Sequence, residues 1–172
     1  GEPRSTTTIA TDERGRVLVA VGFWEGLRSE ERAKGGNVNE VEARALTKAA
    51  WIVCHEGLHL GMSHFARARA IGVGDKTIVV NGQPVSLANL AGDMEINSII
   101  WADHGELPDW VIDPISFGFN RGLTFEEYTR LLEKEAGSGL SVPGLSPGVG
   151  AGWWGAVADG HGEPDDSTGD TP

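Results

Sequence analysis

"WIVCHEGLHLGMSHFARARAIG", from Trp51 to Gly72, carries three of the five histidines of the chain, with a glutamate directly after the first. Apolar residues lead into it at helical spacing: Val41, Ala45, Ala49, Ile52 and Val53. Asn39 suits an N-cap, and Glu40 and Glu42 place acid in the first turn, where the helix dipole favours it. The pattern predicts one long helix from about Asn39 to about Ala70, stopped at Gly72.

Within that helix, His55-Glu56-Gly57-Leu58-His59 fits H-E-x-x-H. Residues four apart on a helix lie one above the other, so both imidazoles can reach one zinc ion at about 2.0–2.1 Å. Glu56 is turned about 100° away. From there it is poorly placed as a ligand but well placed as general base on a water that the metal activates. Stepping back from the histidines by three and four gives Ile52, Trp51, Lys48, Ala45 and Val41. The pair therefore continues a mainly apolar stripe and points inward. The competing reading is a histidine-rich surface helix, or two hydrogen-bonded core histidines.

Catalytic zinc usually takes three protein ligands and keeps one position open. His64, nine residues beyond His55, lies about 180° around a continuous helix. It becomes a ligand only if Gly61 breaks the helix, and otherwise reads as a hydrogen-bonded neighbour of the site. The better third ligand is Asp93 in "NLAGDMEINSII", on a face shared with Leu90, Asn97 and Ile100. A carboxylate on an apolar face needs a partner, and the metal would be one, with Asn97 hydrogen-bonding a ligand one turn on. Without metal, Asp93 reads as a salt bridge or cap. Glu95 is about 200° further round, which places it off the face expected to be buried.

The rest of the chain frames this helix. Thr6 to Gly22 reads as a hairpin turning at Asp12–Gly15, and residues 23–39 as a loop with at most one helical turn, broken at Gly35-Gly36. "KTIVVNGQPVSL" carries the hairpin signal Asn81-Gly82, after which Ser86 caps a second helix to about Ala102. "LPDWVIDPISFGFNRG" is an irregular loop. A third helix starts at Thr124, whose capping box is completed by Glu127. Tyr128 and Cys54 read as core packing, and Arg67 and Arg69 as solvated or paired with surface acids. From Gly137 onward Gly, Pro, Ser and Asp dominate, which predicts a disordered acidic tail anchored at most by Trp153 and Trp154.

The net charge of −11, from 25 acidic against 14 basic residues, argues against nucleic acid or anionic membrane as partner. No apolar run is long enough to span a bilayer. One cysteine excludes a disulfide framework. A polar start and this cysteine usage lead to the expectation of a cytoplasmic protein, in a bacterial or phage-infected cell, or of a virion component.

The order of motifs resembles a known family. His55 to His59, His64 and Arg67, then Asn89 to Asn97 ("NLAGDMEIN"), then Gly122 to Tyr128 ("GLTFEEY") are similar to the bacterial and phage metallopeptidase-type domain that commonly precedes a von Willebrand factor A-like domain. The strand-rich stretch Asp12 to Phe23 is similar too, so the resemblance spans roughly residues 6–139. It implies a zincin-like fold and zinc-dependent peptide hydrolysis, with His55 and His59 as ligands, Asp93 as third ligand and Glu56 as base. The Gly-rich acidic stretch departs from that pattern. The expected fold is α+β: a small sheet of two hairpins on the long histidine helix and an antiparallel second helix, in a domain of residues 1–136. A peptide or protein is the expected substrate. The alternative is a non-catalytic, zinc-stabilised binding or virion-structural module.

Overall fold

The structure, a computed structural model, describes residues 9–11, 16–108, 110–137 and 140–142. The expected turn at Asp12–Gly15 lies outside them, as do Trp153, Trp154, His161 and the rest of the acidic stretch beyond Val142. The described chain is α+β, with two antiparallel hairpins and five α-helices. One hairpin joins β1 (Ile9–Thr11) to β2 (Val17–Val19), and the other joins β3 (Thr77–Val80) to β4 (Gln83–Ser86). The expected common sheet does not form among the described residues. Each hairpin covers its own core: Ile9 packs with Phe23, Leu27, Ala45 and Ile52, whereas Ile78, Val80 and Val85 pack with Leu90, Met94, Phe125 and Leu132.

Residues 23–33 correct the loop expected there: they form α1 (Phe23–Ala33). Phe23, Leu27 and Glu31, spaced by four, bury one face of it. Its many charges, which made it read as loop, are matched by the next helix, α2 (Val38–Gly61). Arg28 Nε donates to Glu42 at 2.6 Å, Lys48 Nζ to Glu30 at 2.6 Å, and Arg44 Nε to the buried Glu31 at 3.0 Å. Arg44 also reaches the Glu31 and Gly35 carbonyls, satisfying acceptors at the C-terminal end of α1.

The N-cap of α2 is Asn37 rather than Asn39, because Asn37 and Glu40 close a reciprocal capping box. Val41, Ala45 and Ile52 are buried as their spacing predicts, but Val53 and Cys54 are exposed. Both lie off that stripe, so the expectation of a packed Cys54 is corrected. The long helix is also not continuous. It stops at Gly61, turns through Met62 and Ser63, and restarts as α3 (His64–Ala70). Ser63 sits at φ 56, in the left-handed region, a conformation that costs a non-glycine residue on the order of 1–3 kcal/mol. The turn redirects His64 and Ala68 inward, and both are buried.

The larger core lies between the second hairpin, α4 (Leu87–His104) and α5 (Phe125–Ala136). Ser86 caps α4, and Thr124 with Glu127 caps α5, both as predicted. Asn81 at φ 50 and Gly82 at φ 79 make the tight turn that the pair predicts. The loop after α4 contains a 3₁₀ turn at Pro114–Phe117 that packs Pro114 inward. Tyr128 is core: its hydroxyl donates to the Asn120 carbonyl at 2.9 Å and meets Ser98 Oγ at 2.8 Å. The core also continues past Ala136, against the expectation that only tryptophans could anchor the residues beyond it. Leu140 bridges Val80, and Val142 is buried and exchanges hydrogen bonds with Asn81. The outer edge of β3 is thereby occupied at Val80. Among the described residues no helix is long and apolar enough to cross a membrane.

Candidate metal centre

Helix α2 sets His55 one turn before His59, their rings edge-on with centroids 5.0 Å apart. Their Nε2 atoms are 3.2 Å apart, and Asp93 Oδ1, from α4, lies 3.1 Å from the first and 3.0 Å from the second. Four ligands at about 2.0–2.1 Å in a tetrahedron would stand about 3.3–3.4 Å from one another. The observed triangle has nearly that size, and these three residues could hold a metal ion. The His55 and His59 side chains are 5% and 9% exposed, against 21% for Asp93. Glu56 is buried beside them on α2.

Proton counting favours a cation here. His64 Nε2 lies 2.7 Å from Glu95 Oε2, and an ionised carboxylate only accepts, so this nitrogen carries a hydrogen. In a neutral His64 the other nitrogen, Nδ1, then accepts. Its partner at 2.9 Å is His59 Nδ1, which must donate. His59 Nε2 is left bare unless its ring is charged, yet it faces a carboxylate oxygen and a second imidazole nitrogen. A proton, a metal ion or a hydrogen shared from His55 Nε2 satisfies that position, and only the first two also suit the Asp93 carboxylate 3.0 Å away.

The electrostatics of the metal-free site agree. For His59, burial favours the neutral ring, but the hydrogen bond to Asp93 and the charges of Asp93 and Glu56 outweigh it and raise its pKa. For His64, burial dominates, and the charges of His59 and Arg67 add to it, so its pKa is lowered despite Glu95. Burial alone would push the Asp93 carboxyl up. The two histidines more than offset this and hold it well below the usual carboxylate range.

Three features around the ligands were not expected. Glu95, placed off the buried face by helical geometry, is buried. The break at Ser63 brings α3 over it, and Arg67 donates to it at 2.8 and 3.3 Å. Arg67 is therefore paired, as one of its two readings had it, but with a buried acid as well as a partly exposed one. It also grips Glu126 of α5, at 2.8 and 2.6 Å, and lies over the Phe125 ring. This hydrogen bonding lowers the Glu126 pKa to about 2. Asn97, expected beside a ligand, instead donates through Nδ2 to the Ile112 carbonyl at 2.7 Å, and its Oδ1 has no hydrogen-bond partner among the described residues. Finally, Trp51 stacks on His55 and Trp110 packs edge-on against Trp51.

Gly92 was also passed over. A Cβ there would stand 2.9 Å from His64 Nδ1 and 3.0 Å from His59 Cε1. A glycine inside a helix costs about 1 kcal/mol against alanine, and that cost is the signal of a close approach that sequence reading could have used.

Compared with protein-family models, with curated proteins and with solved structures, the chain matches none. The reading of this centre therefore rests on its geometry and on the motifs.

Proposed function

We propose that this protein is a zinc-dependent peptidase with a zincin-like site, in which His55, His59 and Asp93 hold the metal and Glu56 is the general base. The observation that carries the reading is the triangle of donor atoms, 3.0–3.2 Å on a side, next to the buried glutamate of an H-E-x-x-H turn. Two imidazoles and a carboxylate form a donor set typical of catalytic zinc, and three protein ligands leave a fourth position open. His64 is committed to His59 and Glu95, so it does not close the site. That favours catalysis over a zinc-stabilised structural or binding module, which requires a closed site.

A bound zinc ion supplies Lewis acidity, acidifying water and polarising a carbonyl. Glu56 takes the proton from the attacking water as its oxygen adds to the carbonyl carbon. It returns that proton to the nitrogen as the C–N bond breaks. The choice of a peptide as substrate follows from the motif resemblance, and the net charge of −11 disfavours a nucleic acid. Extended substrate cannot pair with β3 at Val80, where Leu140 already lies, so β1–β2 is the better edge for strand addition.

The test is zinc content and turnover on a mixed peptide library, for the wild type and Glu56→Gln. The variant should keep about one zinc per chain and lose on the order of 10²–10⁴-fold in rate. Undiminished turnover in the variant sinks the mechanism, and a folded wild type that takes up no zinc sinks the site.

A further inference from the structure

The two ring nitrogens that face away from the metal position are treated differently by the fold. His55 Nδ1 is buried with no hydrogen-bond partner among the described residues. His59 Nδ1 meets His64, which meets Glu95, which is held by Arg67, which is held in turn by Glu126. The chain of contacts crosses from α2 to α5, and with both imidazoles neutral each link joins a donor to an acceptor in only one direction. Glu95 accepts, so a neutral His64 presents a lone pair to His59, and a neutral His59, the form that binds a metal, has its own lone pair on Nε2, toward Asp93 and His55. From these contacts we infer that His64 and Glu95 are positioning residues for His59, fixing the tautomer and ring orientation in which it binds the metal, and that Gly92 is the bare patch of helix on which the pair sits. The inference rests on the zinc reading proposed above.

A purely structural role for the same residues has a different expectation. An ion network that only ties α3, α4 and α5 together needs Arg67, Glu95 and Glu126. It does not need an imidazole interposed between Glu95 and His59, nor a glycine under the contact. The pair stands on Gly92 at distances no Cβ would tolerate without displacing a ring. His64 is also held face-on by Phe125, ring centroids 5.3 Å apart, so its orientation is set independently of His59. Partners of metal-bound histidines typically change metal affinity by about 10–100-fold when removed.

The experiment measures zinc affinity by chelator competition for the full chain, with His64→Leu, His64→Asn and Gly92→Ala beside the wild type. Asparagine places Oδ1 where His64 has Nδ1, so it keeps an acceptor for His59. His64→Leu should bind zinc about 10–100-fold more weakly, and His64→Asn should recover most of that loss. Long-range ¹H–¹⁵N spectra of the zinc-loaded wild type should show His59 protonated at Nδ1, with that proton lost to rapid exchange in His64→Leu. Should His64→Leu fail to fold, Gly92→Ala decides: a Cβ there displaces the two rings, so weaker zinc binding by the folded variant reports that displacement. Wild-type zinc affinity in His64→Leu, or in Gly92→Ala where leucine does not fold, overturns the positioning role and leaves the zinc site standing. A folded wild type that binds no zinc overturns both.

Discussion

The two flanks of the candidate centre are built from different materials. On the His55 side the wall is aromatic: Trp51 stacks on the imidazole and Trp110 closes on Trp51. On the His59 side the wall is a chain of charges and polar hydrogens running through His64, Glu95 and Arg67 to Glu126. The two histidines sit one turn apart on the same helix, and of this asymmetry only Trp51, one turn before His55, is visible in the local sequence. The rest arises because one side faces a loop that supplies Trp110, while the other faces the restarted helix α3. The aromatic side packs one face of its ring and offers its Nδ1 no hydrogen-bond partner among the described residues. The polar side dictates which nitrogen of its ring is bare.

The largest effect should come from breaking the polar side at its most buried charge. Glu95→Ala strips His64 of its acceptor and leaves Arg67 with Glu126 alone. Removing one partner of a buried ion pair costs about 3–5 kcal/mol, and Arg67 is partly solvated, so a loss near the lower end is expected in urea unfolding. A loss under about 1 kcal/mol means the network holds nothing in place.

The second effect separates two adjacent histidines by pH. The pKa of His59 is raised on folding, so its contribution is full below the ordinary histidine value and is lost as pH rises through the folded value. That of His64 is lowered, so stability is lost instead as pH falls from the ordinary value through the folded one. In chelator the melting temperature should therefore peak near the ordinary histidine pKa of about 6.5 and fall as pH is raised. Zinc displaces the proton on His59, so the rise in melting temperature it causes should grow over the same range. A metal-free protein that becomes steadily more stable up to pH about 8 contradicts the assignment of charge to His59.

The smallest effect should be on the aromatic side. Trp110→Phe keeps a ring against Trp51. It should cost less than about 1.5 kcal/mol and leave zinc affinity unchanged within about twofold. A tenfold loss of zinc in that variant would make the aromatic wall as much a positioning device as the polar one.

Much of this was legible from local pattern. The caps at Ser86 and Thr124, the Asn81-Gly82 turn and the buried stripe of α2 are short-range features, and short-range features depend on few residues. The pairing of Asp93 with His55 and His59 was legible as well, from a carboxylate on an apolar face. Helix α1 was not, because its charges find partners only once Arg44 and Lys48 of α2 lie alongside. Leu140 and Val142 were hidden in a Gly- and Ser-rich stretch, since two apolar residues acquire meaning only when β3 offers an edge and a core. The break at Ser63 was legible as an option at Gly61, but no local rule demanded it.

Residue spacing alone thus settled that two histidines share one helical face with a glutamate turned beside them, because a 3.6-residue period allows nothing else. It settled too that this face points inward, because the stripe behind it is apolar. The tertiary structure alone decided what stands behind His59. A left-handed Ser63 turns His64 inward, Gly92 makes room for it, and Glu95 becomes buried beneath a partly exposed Arg67 in consequence. No pattern in a single helix encodes that outcome, because its cost is local and the contacts that offset it come from α3, α4 and α5 together.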